Sequence, residues 1–473
     1  MIRRWIPALL AALASPHVAA ADPSSRALAE RALAEHRAVE VAPRLVARGR
    51  RSRRPRDLYW AARLLEVAGQ KSSALERYLQ VVLAGQAGGL GPLAARRLAQ
   101  DPGFPLASES MARLVRADLS ALDGAARHAL LHRLALFQLR TGDLDGARLS
   151  LEAQGDRAEA LYLGGMVTLR QGQPARARRL FERAVERARR PGLLELGHLA
   201  LARLALESGR VEQAGRHYTR VPFGSPHFFR AQQELAWVNL QRGRASRALA
   251  ASVTLAAPSL NRYCRPDAEL VEAAALLALC RPEEAAARAR VALSHLDHLT
   301  KSTAKFLRER PDARLYYVEA MVSAVRRSGE LDKELVKVLL ADSGFRRAFR
   351  TVRQLQRERG LLLGTGAAAL RRELSAELDR RLVEAQEGAG RTVQGILTRL
   401  QAELKDLRLR ARELLFDLEG LAAKGRREER ERRRPVVQES REKGRQLWPF
   451  QGEHWSDEIG HYRVSLPGAS SCR

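Results

Sequence analysis

Cysteine is scarce in this chain of 473 residues, which has it only at positions 264, 280 and 472. Three cysteines are too few for a disulfide framework in a protein of this length. A helix between Cys264 and Cys280 would hold them about 20 Å apart, at ~1.5 Å per residue, so we expect no bond between these two. Cys472, close to the end of the chain, could reach a neighbouring segment or another chain; the alternative is three unpaired thiols.

Catalytic motifs are also missing from the sequence. It has no zinc-protease motif, no phosphate-binding loop with its Lys-Ser/Thr and no Gly-x-Ser-x-Gly turn. The run Gly364 to Ala369 has the glycine spacing of a dinucleotide fingerprint but lacks the surrounding strand–helix–strand unit. His128 and His132 lie one helical turn apart, as His295 and His298 nearly do, without further recognisable metal ligands. We therefore predict a non-enzymatic protein without cofactor or metal.

The N-terminus has the features of an export signal. Arg3 and Arg4 precede the apolar run 6–14, which is shorter than the ~20 residues that span a bilayer. Ala19, Ala20 and Ala21 fit a cleavage site before residue 22. We expect a soluble, exported or periplasmic protein with a signal peptide over 1–21; the alternative is an uncleaved N-terminal anchor.

Lysine is rare although the chain is strongly basic, with a formal charge of +28 and only eight lysines among 82 basic residues. Such an arginine bias is typical of a GC-rich genome. The positive field nevertheless favours anionic surfaces such as membranes or cell-wall polymers. Since export makes nucleic acid the least favoured partner, we predict no nucleic-acid binding.

Four segments share one spacing, in which a turn glycine or its substitute falls five residues before an alanine. The pairs are Gly172 with Ala177, Gly209 with Ala214, Gly243 with Ala248, and Cys280 with Ala285. The alanines are 37, 34 and 37 residues apart. A period in this range predicts stacked helical hairpins, each of which buries its apolar face against its neighbours. The alternative is an Ala/Leu-rich helical domain with chance spacing.

The segment 158–191 resembles the tetratricopeptide repeat (TPR), because Gly165, Ala177, Phe181 and Ala184 match its small, small, aromatic and small positions. Later and upstream copies are weaker: Ala202, Ala214, Tyr218 and Val221; Ala236, Ala248 and Ser252; Ala135, Gly142 and Ala147; and Ala62, Gly69, Ala74 and Tyr78. The resemblance covers residues 55–293 and implies an all-α array that binds partners.

The resemblance also implies where a partner binds. In this family the ligand lies on the concave face formed by the first helix of each hairpin. Carried over, the partner-binding positions are Tyr162, Met166, Arg170, Arg203, Gln233, Trp237 and Gln241, extended by Arg56, Tyr59, Arg63 and His132 if the upstream copies are real.

A heptad seam follows the repeats. Steps of four and three connect Val393, Leu397, Leu400, Leu404, Leu407, Ala411, Leu414, Leu418 and Leu421, as in a coiled coil. The seam pairs either with a second chain, giving a homodimer, or with another helix of its own chain, and we favour the second chain. Gln386, Gly388 and Gly390 predict that the helix from Ala367 kinks or unwinds upstream of the seam, and the charged block 425–434 before Pro435 predicts a frayed or disordered end.

The C-terminal tail departs from the rest of the chain in composition. It has four aromatic residues within 448–462, namely Trp448, Phe450, Trp455 and Tyr462, among the acidic Glu453, Asp457 and Glu458. We predict that these aromatic residues bind a partner or cover the chain's own surface. The tail faintly resembles the endings of repeat-containing envelope proteins of gliding and predatory bacteria.

These patterns predict an all-α protein, with a TPR-like α-solenoid followed by a long coiled-coil helix and an aromatic tail. The predicted segments are 1–21, signal peptide; 22–56, a helix and a basic linker; 57–293, the array, with an irregular insertion at 85–105; 294–366, a helical extension or cap; 367–434, the coiled-coil helix; and 435–473, the tail. The predicted function is a scaffold that binds protein or peptide partners in an envelope complex, with motility as one setting. The alternative is binding of anionic polymers or a membrane surface through arginine.

Overall fold

The structure is a computed structural model that describes residues 23–84, 89–101, 106–120, 122–255, 266–308, 312–326, 329–364 and 367–442. Within these ranges all regular structure is helical, which confirms the all-α class. No helix among the described residues combines the length and the apolar character needed to cross a membrane.

The described residues form twenty helices, numbered in chain order. They are α1 Pro23–Ala34, α2 Ala38–Ser52, α3 Pro55–Val67, α4 Lys71–Leu83, α5 Leu90–Ala99, α6 Ser108–Leu114, α7 Gly124–Thr141, α8 Leu144–Glu152, α9 Ala158–Arg170, α10 Pro174–Arg187, α11 Pro191–Glu207, α12 Val211–Tyr218, α13 Phe228–Gln241, α14 Ala245–Leu255, α15 Ala268–Ala278, α16 Pro282–Arg308, α17 Ala313–Arg326, α18 Lys333–Ala341, α19 Ser343–Leu361 and α20 Ala368–Glu442.

The chain forms two compact units. Unit 1 contains residues 1–201, 310–329 and 339–395, and unit 2 contains residues 202–309, 330–338 and 396–473. The largest apolar cluster of unit 1 joins α1–α7 with leucines of α19 and α20. In unit 2, two apolar clusters lie among α13–α16, and one of them includes leucines of α20.

The predicted hairpin turns are confirmed. Gly172, Gly209 and Gly243 have φ values of 74°, 71° and 65°, and Cys280 has 60°. The upstream glycines Gly69 and Gly142 have 77° and 84°. These values lie in the left-handed region, where glycine is favoured because it has no Cβ to clash. Each turn therefore ends one helix and reverses the chain into the next.

Close packing in the hairpin of α9 and α10 explains the small residues of the repeat. A Cβ on Gly165 would lie 2.6 Å from the ring of Phe181, so no larger residue fits without a shift. Ala177 and Phe181 are fully buried. The alanines that share the phase of Ala177 in the later units, Ala214, Ala248 and Ala285, are fully buried as well, and the predicted register is confirmed.

The basic run at 48–56 is not a linker, contrary to the prediction. The helix α2 continues to Ser52, and α3 begins at Pro55. Between them Arg53 has a φ of 50°, and its N–H donates to the carbonyl of Gly49. Arginine is a good helix former, so a charged run can extend a helix until a proline starts the next. The predicted insertion at 85–105 also contains a helix, α5, while 85–88 and 102–105 lie outside the described residues.

The helix α20 runs without interruption from Ala368 to Glu442, so it does not unwind at Gly388 and Gly390. Gly390 serves close packing instead: a Cβ there would overlap the carbonyl of Ala313 at the start of α17. The charged block at 425–434 was predicted to fray, but it stays helical past Pro435 to Glu442. Its Glu and Arg residues recur at helical spacing, which favours the helix.

Candidate partner-binding site

Two residues of the predicted concave face bind one buried carboxylate in unit 2. Gln233 and Trp237 lie one turn apart on α13, and Asp267 precedes α15. Trp237 Nε1 donates to Asp267 Oδ2 at 2.7 Å, and Gln233 Nε2 donates to Oδ1. Burial raises the pKa of Asp267, against the lowering effect of these two hydrogen bonds. The side-chain N–H groups of both predicted residues are thus engaged within the chain.

A second carboxylate, Glu234, holds the predicted residue Arg203. The Arg203 guanidinium donates twice to Glu234, at 2.9 and 2.6 Å, and Arg230 Nε donates at 2.8 Å. The Tyr218 hydroxyl also donates to Glu234, at 2.8 Å. Burial acts to raise the pKa of Glu234, but the hydrogen bonds and positive charges of the two arginines lower it overall. Burial, followed by the negative charge of Glu234, raises the pKa of Tyr218.

The predicted residues of α9 remain more accessible. Tyr162 and Met166 are half-buried, and Arg170 is exposed. The Tyr162 ring lies 5.6 Å from the ring of Phe181 on α10. Gln241, at the end of α13 in unit 2, is exposed as well.

Upstream, two of the predicted positions are core residues. Tyr59 is buried against Trp60, with ring centroids 5.4 Å apart. Arg63 is buried and its Nη1 donates to Glu66 at 3.0 Å. Arg56 and His132 are half-buried. At His132, burial lowers the pKa of the imidazole and the positive charges of Arg133 and Arg347 lower it further, while Glu159 opposes them.

In unit 1 the helix α20 is fixed by an ion pair. Glu377 accepts two hydrogen bonds from the Arg77 guanidinium, at 2.9 and 2.7 Å, and one from the Ser73 hydroxyl at 3.2 Å. Burial acts to raise the pKa of Glu377, but Arg77 lowers it overall. Bidentate arginine–carboxylate pairs have a fixed geometry, so this contact sets the position of α20 on α4.

Further polar contacts join the C-terminal helices to the same hairpin of unit 1. Glu358 of α19 is fully buried, accepts a hydrogen bond from Ser72 N at 2.9 Å, and its carbonyl accepts one from Gln70 at 3.0 Å. On α20, Glu373 pairs with Arg50 at 3.0 Å. Leu370, Leu374 and Leu378 of α20 complete the apolar part of the contact.

The heptad seam is buried within the chain, which corrects the preference for pairing with a second chain. From Val393 to Leu418 the seam residues are buried, except Leu414, which is half-buried, while Leu421 is half exposed. In unit 2, Leu414, Leu415 and Leu418 pack against α15 and α16. A seven-residue repeat indicates that another helix packs along it, but it does not indicate whether that helix belongs to the same chain or to a second one.

The same helix contributes a charge to the predicted face of unit 2. Glu403 of α20 interacts electrostatically with Arg230 and Arg203 and with Asp267 and Glu234. Loss of solvent around its carboxyl raises the pKa of Glu403, Arg230 acts against this rise, and the two neighbouring carboxylates add to it. The charge of Glu403 therefore acts on Arg203, which the family resemblance assigns to a partner, and on Asp267 and Glu234, the carboxylates that bind the predicted residues.

Sequence reasoning missed the acidic residues that hold α20 in unit 1. Glu373, Glu377 and Glu384 are spaced four and seven residues apart, so they follow one side of a helix beside Leu370, Leu374 and Leu378. The last of them, Glu384, accepts a hydrogen bond from Ser108. The spacing was visible in the sequence, but it could not identify Arg50 and Arg77 as the partners.

The remaining predicted positions have different outcomes. The tail residues Trp448, Phe450, Trp455 and Tyr462 lie outside the described residues. The described part of the chain has no cluster of potential metal ligands, and His295 and His298 lie near carboxylates at 3.5 and 2.9 Å.

Cys280 is disulfide-bonded, so the alternative of three free thiols is wrong. Cys264 and Cys472 both lie outside the described residues.

Comparisons with known proteins show weak similarity only. No family model and no curated protein matches the chain. A TPR domain of P58(IPK) is 13% identical over 75% of this chain and 98% of its own, with a TM-score of 0.21. A circular tandem repeat protein with novel repeat topology is 17% identical over 84% and 90%, with a TM-score of 0.14. Scores of this size carry no argument, so the TPR-like fold rests on the hairpins, their turns and their packing.

Proposed function

We propose that this protein is a non-enzymatic scaffold whose helical hairpins bind an amphipathic helix or peptide of a partner protein. Its role would be to assemble a complex in the cell envelope, with motility as one setting. The tail residues from Trp448 to Tyr462 would give a second contact to the same or another partner.

One observation carries this proposal: the hairpins already hold an amphipathic helix. The helix α20 binds α4 through the bidentate Arg77–Glu377 pair, and its leucines pack between helices of each unit. Recognition of a helix by apolar anchors flanked by charge is a common mode of protein binding. The predicted positions Arg170 and Gln241 are exposed, so they are accessible to a partner.

Export is part of the proposal and rests on two features. The N-terminal run with Arg3, Arg4 and the alanines before residue 22 has the pattern of a cleaved signal. The disulfide at Cys280 is a bond that persists in oxidising compartments and is rare in the cytosol. Cell fractionation, together with N-terminal sequencing of the mature chain, tests this part. A cytosolic chain that keeps residue 1 would contradict it.

The binding face is tested by placing negative charge at exposed positions. Arg170→Glu combined with Gln241→Glu should reduce recovery of envelope proteins in a pull-down and leave the melting temperature unchanged. Arg179→Glu is the matched control, because Arg179 is an exposed arginine on the second helix of the hairpin that carries Arg170. Equal recovery with both variants would contradict the assignment of the face.

The alternative function, binding of anionic polymers or membranes through arginine, has a separate test. Several surface arginines are paired with carboxylates of the chain, for example Arg176 with Glu152 and Arg183 with Asp156, which favours a protein partner. Polymer binding should collapse at high salt because exposed charges are screened, whereas a contact anchored by Tyr162 and other aromatic residues should largely survive.

The role of the tail is tested by removing residues 447–473. Unchanged stability with lost partners would support a contact to another protein. Lowered stability with retained partners would support a contact within the chain. If neither property changed, the tail would have no binding role.

A further inference from the structure

A second apolar row runs along α20 in unit 2, on the side away from the seam. Its members are Ala402, Leu409, Phe416 and Ala423, seven residues apart. All four are exposed, and the two large side chains, Leu409 and Phe416, are 56% and 78% exposed. At ~100° per residue the row lies opposite Leu404, Ala411 and Leu418, which are buried. We call these four residues the outer row.

The seven-residue spacing identifies the kind of neighbour that the outer row fits. Positions repeating every seven residues stay on one side of a helix only when it winds around another helix. A phenylalanine side chain that is mostly exposed leaves its apolar surface in water. Exposed apolar side chains aligned on one side of a helix are typical of an interaction site. The outer row therefore fits a helix rather than a sheet or a small molecule.

Charges on either side of the outer row restrict the neighbour further. Three residues after Ala402 and Leu409 come the basic Lys405 and Arg412, and four residues after them come the acidic Asp406 and Glu413. The positions that correspond after Phe416 are Glu419 and Gly420. Over 405–413 one flank is thus basic and the other acidic. Asp406 also pairs with Arg410 of its own helix at 2.9 Å, but an exposed pair of this type is weak and leaves the flank acidic.

These flanks are complementary to those of an identical helix. When two copies lie parallel and in register, the basic flank of each faces the acidic flank of the other, at Lys405 with Asp406 and at Arg412 with Glu413. In an antiparallel pair, like charges would face each other. We propose that the outer row binds the outer row of a second copy of this chain, as a parallel pair of α20 helices.

The contact between two outer rows would bury little surface, so we expect the dimer to be weak. Only Leu409 and Phe416 supply large apolar side chains, so the buried area falls below the ~1,600 Å² of a standard interface. We therefore expect a weak dimer that dissociates in the micromolar range. The dimer leaves the buried seam and the predicted partner face undisturbed.

Sedimentation velocity of the full chain over a concentration series tests the dimer. Wild type should shift from monomer to dimer, and Leu409→Ser with Phe416→Ser should weaken association at least tenfold with an unchanged melting temperature. Phe223→Ser is the matched control, because Phe223 is 69% exposed and lies elsewhere on unit 2. A wild-type chain that stays monomeric throughout, or a double variant that associates as well as wild type, would overturn the proposal.

Charge exchange and cross-linking test the parallel arrangement. A chain with Lys405→Glu and Arg412→Glu, and another with Asp406→Lys and Glu413→Lys, should each be monomeric alone and form a mixed dimer together. In addition, Ala402→Cys should form an interchain disulfide, since Ala402 faces its own copy only in the parallel pair. Failure of this cross-link in a dimeric sample would overturn the arrangement. Dimerisation that appears only after residues 443–473 are removed would assign the outer row to the tail instead.

Discussion

The two parts of α20 differ in the contacts that fix them: ion pairs stand out in unit 1 and leucine packing in unit 2. In unit 1 the helix carries glutamates that pair with arginines of the hairpins, led by Glu377 with Arg77. In unit 2 it presents a leucine seam that packs on small apolar residues of α15 and α16. Ion pairs require one geometry, while leucines on alanines tolerate small shifts along the helix. Leucines of α20 are buried in both parts, so the ion pairs of the first part add the fixed register.

The largest effect is expected from a charge in the seam. Leu404 is fully buried in unit 2, and a carboxylate there would be desolvated without a partner. Leu404→Asp should lower the free energy of unfolding by about 4 kcal/mol or more, as measured by urea denaturation. Hydrogen exchange should accelerate across 396–421 before it changes in 368–392. The control is Thr398→Asp at an exposed position of the same helix, which should be nearly neutral.

The next largest effect is expected at the ion pair of unit 1. Arg77→Ala leaves the Glu377 carboxylate in a mostly buried site without its guanidinium, and breaking such a pair costs about 3 kcal/mol or more. In this variant hydrogen exchange should rise first in 368–392. Arg50→Ala is the matched control, since the more exposed pair with Glu373 should contribute under ~1 kcal/mol. If the two arginines had equal effects, Arg77 would not set the register.

A smaller effect tests whether both units share the repeat register. Ala177 in unit 1 and Ala248 in unit 2 are fully buried between the helices of their hairpins. Phenylalanine at either position overpacks that contact and should cost about 1–3 kcal/mol in thermal unfolding. Ala250→Phe, at an exposed position of α14, is the control. A buried variant that melts like wild type would show that the register is wrong in that unit.

The smallest effect is expected in the pH dependence of the free energy of unfolding. The folded-state pKa of Glu377 is lowered, so its stabilisation is complete above the ordinary carboxyl pKa of about 4.3 and is lost as pH falls through the folded value. The raised pKa of Asp267 in unit 2 has the opposite sign, with its contribution lost as pH rises through the folded value. Acid should therefore weaken wild type more than Glu377→Gln. If the free energy of unfolding of the two proteins changed with pH in parallel, the acid effect could not be assigned to Glu377.

Much of the fold was predictable because the signals were local. The left-handed turns at Gly172, Gly209, Gly243 and Cys280 and the buried alanines follow from steric limits that act within one hairpin. The neighbour of the seam was not predictable, because a heptad has the same form within and between chains. The role of Gly390 was not predictable for a related reason. Its close contact is with Ala313, 77 positions away in the sequence, so no local pattern indicates it.

The candidate site was harder to predict than the fold. The family resemblance proposed Tyr59, Arg63 and Gln233 as binding residues, but all three are buried. The partner of Gln233 is Asp267, 34 positions away, which no spacing in the sequence reveals, whereas Arg63 pairs with Glu66 on its own helix. Asp267 accepts two hydrogen bonds from side chains of α13 and follows a stretch outside the described residues.

The cysteine at the last hairpin turn has an evolutionary consequence. Its φ of 60° disfavours any residue with a Cβ, by roughly 1–2 kcal/mol for a left-handed residue. Glycine, used at the other turns, would remove that strain in one codon change. Exchange of this cysteine for glycine would cost a disulfide only while the sulfur stays oxidised. In related chains that work in a reducing compartment, we expect drift toward glycine at position 280.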